Sequence, residues 1–290
     1  MIDHTPVMLT EVLHYLNVLP NEWYIDATLG TGGHTQAILD LGAQVLGIDR
    51  DEQALIRVKQ KITSSHLKLV RGNFSNLSDV ANGLGINHVA GILFDLGTSA
   101  LQLEDSQRGF SFQVTAPLDM RMDQSLSVTA ADLVNALSEK ELALLFTKYS
   151  QEGEARPLAR AIVGDRKIKP FTTTGQLAQI CIQVKGGRHS HLHPATKVFQ
   201  ALRMAVNDEL NNLAAALPQA VNKLKPEGRL VVISFHEGED RLVKQFINQG
   251  AAEHLESLTK KPVVPGPTEI SQNPRSRSAK LRAVKKLYVP

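Results

Sequence analysis

The chain has 290 residues, 42% of them hydrophobic, a net charge of +3 and one cysteine, Cys181. That length accommodates one or two globular domains with sizeable cores. A single thiol excludes an internal disulfide and a cysteine-cluster zinc site, and fits a reducing, cytoplasmic setting. No run is long and apolar enough for a membrane span, and Met1-Ile2-Asp3-His4-Thr5-Pro6 lacks the marks of a signal peptide.

Taken in order, residues 5–16 lead into a short helix, with Met8, Leu9, Val12 and Leu16 at helical spacing. Trp23 to Thr35 then reads as a strand, a tight glycine turn and the start of a second helix. Gly30, Gly32 and Gly33 permit backbone angles and close ligand approach that a Cβ would block. A strand, a glycine turn and a helix near the N-terminus are how nucleotide-binding α/β sheets begin.

The turn departs from the dinucleotide pattern G-x-G-x-x-G, because Thr35 stands where the third glycine belongs. Charge gives a second discrimination. Asp26 precedes the turn, Asp49 ends the apolar run Val45-Leu46-Gly47-Ile48, and Asp95 ends Ile92-Leu93-Phe94. Three carboxylates at three strand ends would repel a pyrophosphate. They suit a ligand carrying ribose hydroxyls, an ammonium and a sulfonium, namely S-adenosylmethionine, with Asp49 spaced for the ribose.

Between these strands, Ala54, Leu55, Val58 and Ile62 form one face of a helix, and Leu67 to Val70 is a third strand. Phe74 follows in the loop Arg71 to Phe74, where it could stack on an adenine or simply join the core. Val89 to Asp95 is a fourth strand, almost wholly apolar, as expected of one covered on both faces. Gly97 to Asp123 has no clear period, and long irregular stretches in compact domains tend to be functional.

From Thr129 the pattern is helical. Thr129 with Asp132 and Ser138 with Glu141 are cap pairs three residues apart. Leu142, Leu145, Phe146 and Tyr149 make an apolar stripe. Helices follow over Pro157–Val163 and Gly175–Val184, the latter after Thr172-Thr173-Thr174. One long helix is expected from Leu202 through Leu217, ended by Pro218, then a turn at Lys225-Pro226-Glu227-Gly228. Arg229 to Phe235 is a fifth buried strand, followed by His236 and a helix from Glu239 to Ile247. Ala279 to Tyr288 reads as a closing strand or hairpin.

Charge is unevenly spread. Residues 140–200 hold ten Lys/Arg against four Asp/Glu, and residues 260–290 hold eight against one. Two basic blocks therefore flank an acidic body, and basic blocks steer polyanions. His189, His191 and His193 alternate, but no cysteine or nearby carboxylate completes a metal set, so no metal is expected. With Lys185 and Arg188 they read as a basic loop that meets phosphate. Arg275, Arg277, Lys280 and Arg282, and Arg108 with Phe110 and Phe112, are candidate RNA contacts.

Several stretches resemble the bacterial ribosomal RNA small subunit methyltransferase H (MraW) family from one end of the chain to the other. They are His4 to Val12, the loop Asp26 to Thr35, Asp95 to Ser99 with Gln102, Arg108 to Phe112, and Pro117 to Asp123. His193 to Thr196, Phe199 to Arg203, Ile233 to His236, Glu239 to Arg241 and Asn273 to Ser278 complete the set. The chain departs from the family pattern at Ala100, where proline is usual, and at Glu237-Gly238, where Ser-Leu is usual.

The resemblance implies an α/β fold: a Rossmann-like class I methyltransferase sheet with an inserted helical domain. The boundaries expected are 1–103 and 199–290 for the sheet, and 104–198 for the insertion as substrate-binding domain. It implies methyl transfer from S-adenosylmethionine to the exocyclic N4 of one cytidine in the decoding region of 16S rRNA, presented within the small ribosomal subunit or as naked RNA; no membrane and no DNA partner is expected. It implies cofactor contacts at Gly32, Gly33, His34, Asp49, Phe74, Asp95 and Gln102.

Cytosine N4 is a poor nucleophile because its lone pair is delocalised into the ring. An enzyme must hold it in line with the methyl group and accept hydrogen bonds from the amino group. Asp95, with the Gly97–Ser99 backbone, is the candidate acceptor, and His236 a second candidate or a helix cap. Other readings are a methyltransferase acting on protein or a small molecule, a non-catalytic ribosome assembly factor that keeps the cofactor fold, and a nicotinamide-dependent oxidoreductase. The basic blocks disfavour a small-molecule acceptor, the intact glycines and carboxylates a decayed site, and Thr35 with the acidic rim a nicotinamide.

Overall fold

The computed structural model describes residues 5–186, 192–250 and 254–288; His4, Arg188, His189 and His191 lie outside them. In chain order the elements are α1 (Leu9–Leu16), β1 (Trp23–Asp26), α2 (Gly33–Asp40), β2 (Gln44–Asp49), α3 (Glu52–Lys61), β3 (Leu67–Arg71), α4 (Leu77–Gly83), β4 (Val89–Asp95) and α5 (Ala100–Glu104). They continue with α6 (Ala130–Ala136), α7 (Glu139–Ser150), α8 (Ala155–Arg166), α9 (Thr174–Lys185), α10 (Thr196–Val206) and α11 (Glu209–Lys223). The last are β5 (Leu224–Ser234), α12 (Glu237–Gly250), β6 (Leu255–Ser257), α13 (Pro267–Gln272) and β7 (Lys280–Lys286). Among the described residues no helix is long and apolar enough to cross a membrane.

The chain divides into two units, residues 1–99 with 210–290, and residues 100–209. The expected insertion 104–198 lies inside the second unit, which extends past it at both ends.

The first unit is built on a seven-stranded sheet in the order β3-β2-β1-β4-β5-β7-β6. β1 to β5 are parallel, and β7 runs antiparallel to both β5 and β6. Alternation across the pleat divides the core between the two faces. Ile25, Leu46, Ile92, Phe94 and Val232 pack with Leu77, Leu213, Leu217 and Val243. Tyr24, Val45, Leu93, Val231 and Ile233 pack with Val12, Leu16, Ile38 and Leu281. The carboxyl ends of β1, β2 and β4 carry Asp26, Asp49 and Asp95. Antiparallel β7 brings its first residue, Lys280, beside Ser234 at that same edge.

The second unit is a helical body around Phe110, Leu118, Met120, Leu142, Phe146, Leu158 and Leu202. Both expected cap pairs form full capping boxes, Thr129 with Asp132 and Ser138 with Glu141, and Thr173 makes a third with Gln176. The irregular stretch after Arg108 is firmly held. Leu118 N donates to Thr172 O, Ala116 N to Thr174 Oγ1, and Thr174 Oγ1 to Val114 O. Gly109 (φ +71°) fits only as glycine there, since a Cβ would lie 2.3 Å from Pro117 O.

Three local expectations are corrected. The single helix from Leu202 to Leu217 is two, α10 and α11, broken at Asn207-Asp208, where Asp208 is left-handed (φ 48°). Asn207 explains the break: its Nδ2 donates to Met120 O and Arg203 O, and its Oδ1 accepts from Met122 N. Its amide serves a distant loop, a signal that helical periodicity does not carry. Pro218 does not end the helix but lies within α11. Burial of Leu213, Ala216, Leu217 and Ala220 on the sheet offsets the lost backbone bond. The turn at Lys225 to Gly228 is an irregularity inside β5. Pairing with β4 jumps from Val89↔Leu224 to Gly91↔Arg229, with Glu227 at φ 65°. Helix α4 carries no periodic signal, because its sequence, LSDVANG, is short and weakly patterned.

Candidate functional site

The site is built where the parallel strands end. Asp26 is buried, with its Oδ2 accepting from Thr35 Oγ1 at 2.7 Å and its Oδ1 from Thr28 N at 3.2 Å. Thr35 therefore has a reason to replace the third glycine: its hydroxyl holds the carboxylate of the preceding strand. Thr28 reaches the other way, its Oγ1 accepting from Asp95 N at 2.6 Å. Asp49 holds the loop itself, with Oδ2 accepting from Gly30 N at 2.8 Å and Oδ1 from Asp51 N at 2.9 Å. One threonine-and-aspartate lattice thus fixes the three strand ends to one another.

The glycines are required by space as well as by angle. Gly32 lies at φ +76°, and a Cβ on Gly33 would meet Pro6 Cγ at 2.4 Å. The segment before α1 packs directly onto the loop. His34, buried at the start of α2, adds to that contact by donating from Nε2 to Val7 O at 2.9 Å. Its Nδ1 faces Asp95 Oδ2 at 3.7 Å.

The carboxyls hold their protons unusually well. Burial pushes Asp26 up to about 6 and raises Asp49. Asp95 stands well above the usual carboxylate range, through burial first and then the charges of Asp26 and Glu239. Asp95 Oδ1 is buried and, among the described residues, has no hydrogen-bond partner. A buried acceptor without a donor marks a place where a ligand is expected to supply one.

His236 follows β5. Its Nδ1 accepts from the amides of Gly238 and Glu239, at 3.2 and 3.3 Å, so it caps the start of α12. Its proton must then sit on Nε2, which lies 3.1 Å from Glu239 Oε1. Glu239 is itself buried, with Oε2 accepting from Phe235 N at 2.8 Å. Sequence reasoning assigned Glu239 no role in the site. The signal was there, a carboxylate three residues after a histidine at a helix start.

Phe74 is buried in the sheet core, edge-on to Phe94 at 5.5 Å, with the Arg50 guanidinium over its ring at 5.6 Å. Gln102 is buried on α5 of the helical unit. His193 stacks on Phe112 at 4.4 Å.

The candidate RNA contacts divide. Arg108 is buried and donates to Arg121 O and Met122 O, so it is a loop anchor rather than a surface cation, and Phe110 is core. Arg282 is likewise buried in a two-point pair with Asp240, at 2.7 and 3.1 Å, and Lys280 pairs with Glu237 at 2.5 Å. Arg275 and Arg277 remain exposed. The basic character of the C-terminal block is partly structural: four of its cations are tied down, including Lys285, which meets Glu227 and Glu256, and Lys286, which donates to carbonyls.

The model of the MraW methylase family matches residues 1–287. A ribosomal RNA small subunit methyltransferase H from Thermomicrobium roseum is 47% identical, covering 98% of this chain and 94% of its own. The protein of that name from Carboxydothermus hydrogenoformans is 45% identical, covering 98% of both. Among solved structures, an rRNA methylase from Streptococcus thermophilus aligns over 99% of each chain at 14% identity and a TM-score of 0.48.

Proposed function

The chain belongs to the MraW methylase family, and we propose on that premise that it methylates the N4 amino group of one cytidine in the decoding region of 16S rRNA. The methyl donor is S-adenosylmethionine, and the rRNA is presented within the small ribosomal subunit, in the cytoplasm. The observation that carries the reading is the buried, unpartnered Oδ1 of Asp95 at the end of β4, beside the glycine loop.

The residues present fit this cofactor. Three buried or half-buried carboxylates with raised proton affinity are costly without a cation nearby, and a sulfonium with an ammonium meets that need. Gly32, Gly33 and His34 would hold it through the loop. Asp49 would accept from the ribose through lone pairs that the Gly30 and Asp51 amides leave open. Phe74 would border the adenine. Gln102 is assigned on the family resemblance alone. When bound, the cofactor supplies an electrophilic methyl group whose departure leaves a neutral thioether.

The chain's own groups do the rest. Asp95 Oδ1 accepts a hydrogen bond from the N4 amino group, which turns the nitrogen lone pair out of conjugation with the ring. The same carboxylate takes the N4 proton once nitrogen has acquired its fourth bond. A carboxyl held above its usual range is a stronger base for this than a surface aspartate. His236, engaged as a helix cap, positions the β5 end and does not touch the base. The helical unit, residues 100–209, supplies RNA recognition, with Arg156, Lys167 and Lys169 exposed on it. The base must leave its stack, so the target is splayed or single-stranded.

The test uses tritiated S-adenosylmethionine and small ribosomal subunits that lack the modification, followed by nucleoside mass spectrometry. N4-methylcytidine at a single rRNA position is the expected product. Label on protein or on a different nucleoside would overturn the assignment.

A further inference from the structure

The C-terminal basic block sorts into committed and uncommitted cations. Lys280, Arg282 and Lys285 have carboxylate partners within the sheet unit. Lys260, Lys261, Arg275 and Arg277 are exposed, and among the described residues no carboxylate pairs with them. The one carboxylate of the same block and one just before it are used elsewhere: Glu269 Oε1 accepts from Met8 N at 2.7 Å, and Glu256 meets Lys285.

The uncommitted cations sit on a built platform. Pro274–Ser278 is a short 3-10 helix in which Ser276 is fully buried and Arg275 and Arg277 point to solvent on either side of it. Ser276 Oγ donates to Asn273 O at 2.8 Å, and Asn273 Nδ2 donates to Thr5 O at 3.1 Å. The N-terminal segment Thr5–Met8 is therefore shared. It anchors the arginine turn through Thr5, the preceding helix α13 through Met8, and His34 of the cofactor loop through Val7. Lys260 and Lys261 lie on a loop pinned to the first half of β7, by Leu258 N to Ala283 O and by the Val263–Leu281 bridge. Because β7 is antiparallel, its first half is at the sheet edge where β4 ends in Asp95.

We infer that Arg275 and Arg277, supported by Lys260 and Lys261, form the phosphate-contact surface that docks the single-stranded rRNA segment leading to the target cytidine. The inference rests on the rRNA methyltransferase reading above and deepens it. A bidentate guanidinium suits phosphate oxygens. Arginines on a turn whose backbone is already held lose little main-chain freedom on binding and fix the register of the strand relative to Asp95. Phosphate contacts of this kind position a strand without reading its sequence.

The experiment is a salt titration of binding to small ribosomal subunits lacking the modification, with the full chain. It compares wild type, R275Q/R277Q, R275K/R277K and, as an exposed-cation control on α3, R57Q/K59Q. The expected result is a loss of about tenfold in affinity near 0.1 M salt for R275Q/R277Q, with a slope of log K against log salt shallower by about 1.4 for two lost contacts. The Lys pair should recover most of the slope, the α3 control should match wild type, and S-adenosylmethionine affinity should be unchanged throughout. Wild-type affinity and slope in R275Q/R277Q would overturn the inference. So would a parallel loss of cofactor affinity and thermal stability, which would make the arginines part of the scaffold. Wild-type binding with the expected slope but no methyl transfer would strike the reaction assignment and leave the docking surface standing.

Discussion

His34 Nδ1 faces Asp95 Oδ2 at 3.7 Å while the opposite ring nitrogen donates to the Val7 carbonyl. The histidine of the glycine loop thus lies between the N-terminal segment that holds it and the candidate acceptor, so a shift of Val7 would move the imidazole relative to Asp95.

Asp95→Asn should bind small subunits as wild type does and, measured at saturating cofactor, lose about 100-fold or more in turnover, the usual worth of a positioned general base. Since burial and the charges of Asp26 and Glu239 raise the Asp95 carboxyl, wild-type single-turnover rates should climb as pH rises through its titration. The variant should lack that rise. Full turnover in the variant would remove Asp95 from the acceptor role.

Asp26 gives a stability test. Its folded-state value of about 6 exceeds the ordinary aspartate value of 3.8, so the folded protein binds the proton more tightly than the unfolded chain. Its contribution is neutral below the lower value and turns destabilising as pH climbs toward 6, reaching on the order of 2–3 kcal/mol once the group ionises. Denaturant unfolding of wild type and Asp26→Asn across this range should show the variant gaining relative stability as pH rises. A pH-independent difference would refute the assignment.

Gly33→Ala places a methyl 2.4 Å from Pro6 Cγ. The N-terminal segment must then move off the loop, at about 1–3 kcal/mol of overpacking. Because that segment also holds His34, cofactor affinity measured by calorimetry should fall together with thermal stability. Equal affinity would mean that the contact is incidental.

Arg282→Met should destabilise the sheet unit by about 3–5 kcal/mol, because Asp240 is left buried and unpaired. Adding Asp240→Leu should recover most of the loss. Chemical denaturation of the two variants tests this, and a mild effect in the single variant would show the pair to be solvated.

His236→Asn should keep turnover within about threefold, because asparagine is a good helix cap, whereas His236→Leu should cost about 1 kcal/mol of stability. A loss comparable to that of Asp95→Asn would instead make His236 part of the chemistry.

What the sequence determined by itself was local or periodic. Apolar runs ended in Asp26, Asp49 and Asp95, and each run became a strand whose carboxyl end holds that residue. Thr129/Asp132 and Ser138/Glu141 became capping boxes, because a cap is decided within four residues. The glycine loop was legible because backbone angle and lack of a side chain are properties of the residue itself.

The tertiary structure decided whatever depends on a partner far along the chain. Arg282 carried the same charge signal as Arg275, yet one is buried on Asp240 and the other faces solvent. Thr35 read as a missing glycine until Asp26 was found bonded to its hydroxyl. The α10–α11 break follows from Asn207 reaching Met120, and the tie of Met8 to Glu269 spans 261 positions. Periodicity records which face of an element is buried. It does not record which buried polar group meets which, because that pairing is set only when the sheet order brings distant segments to one edge.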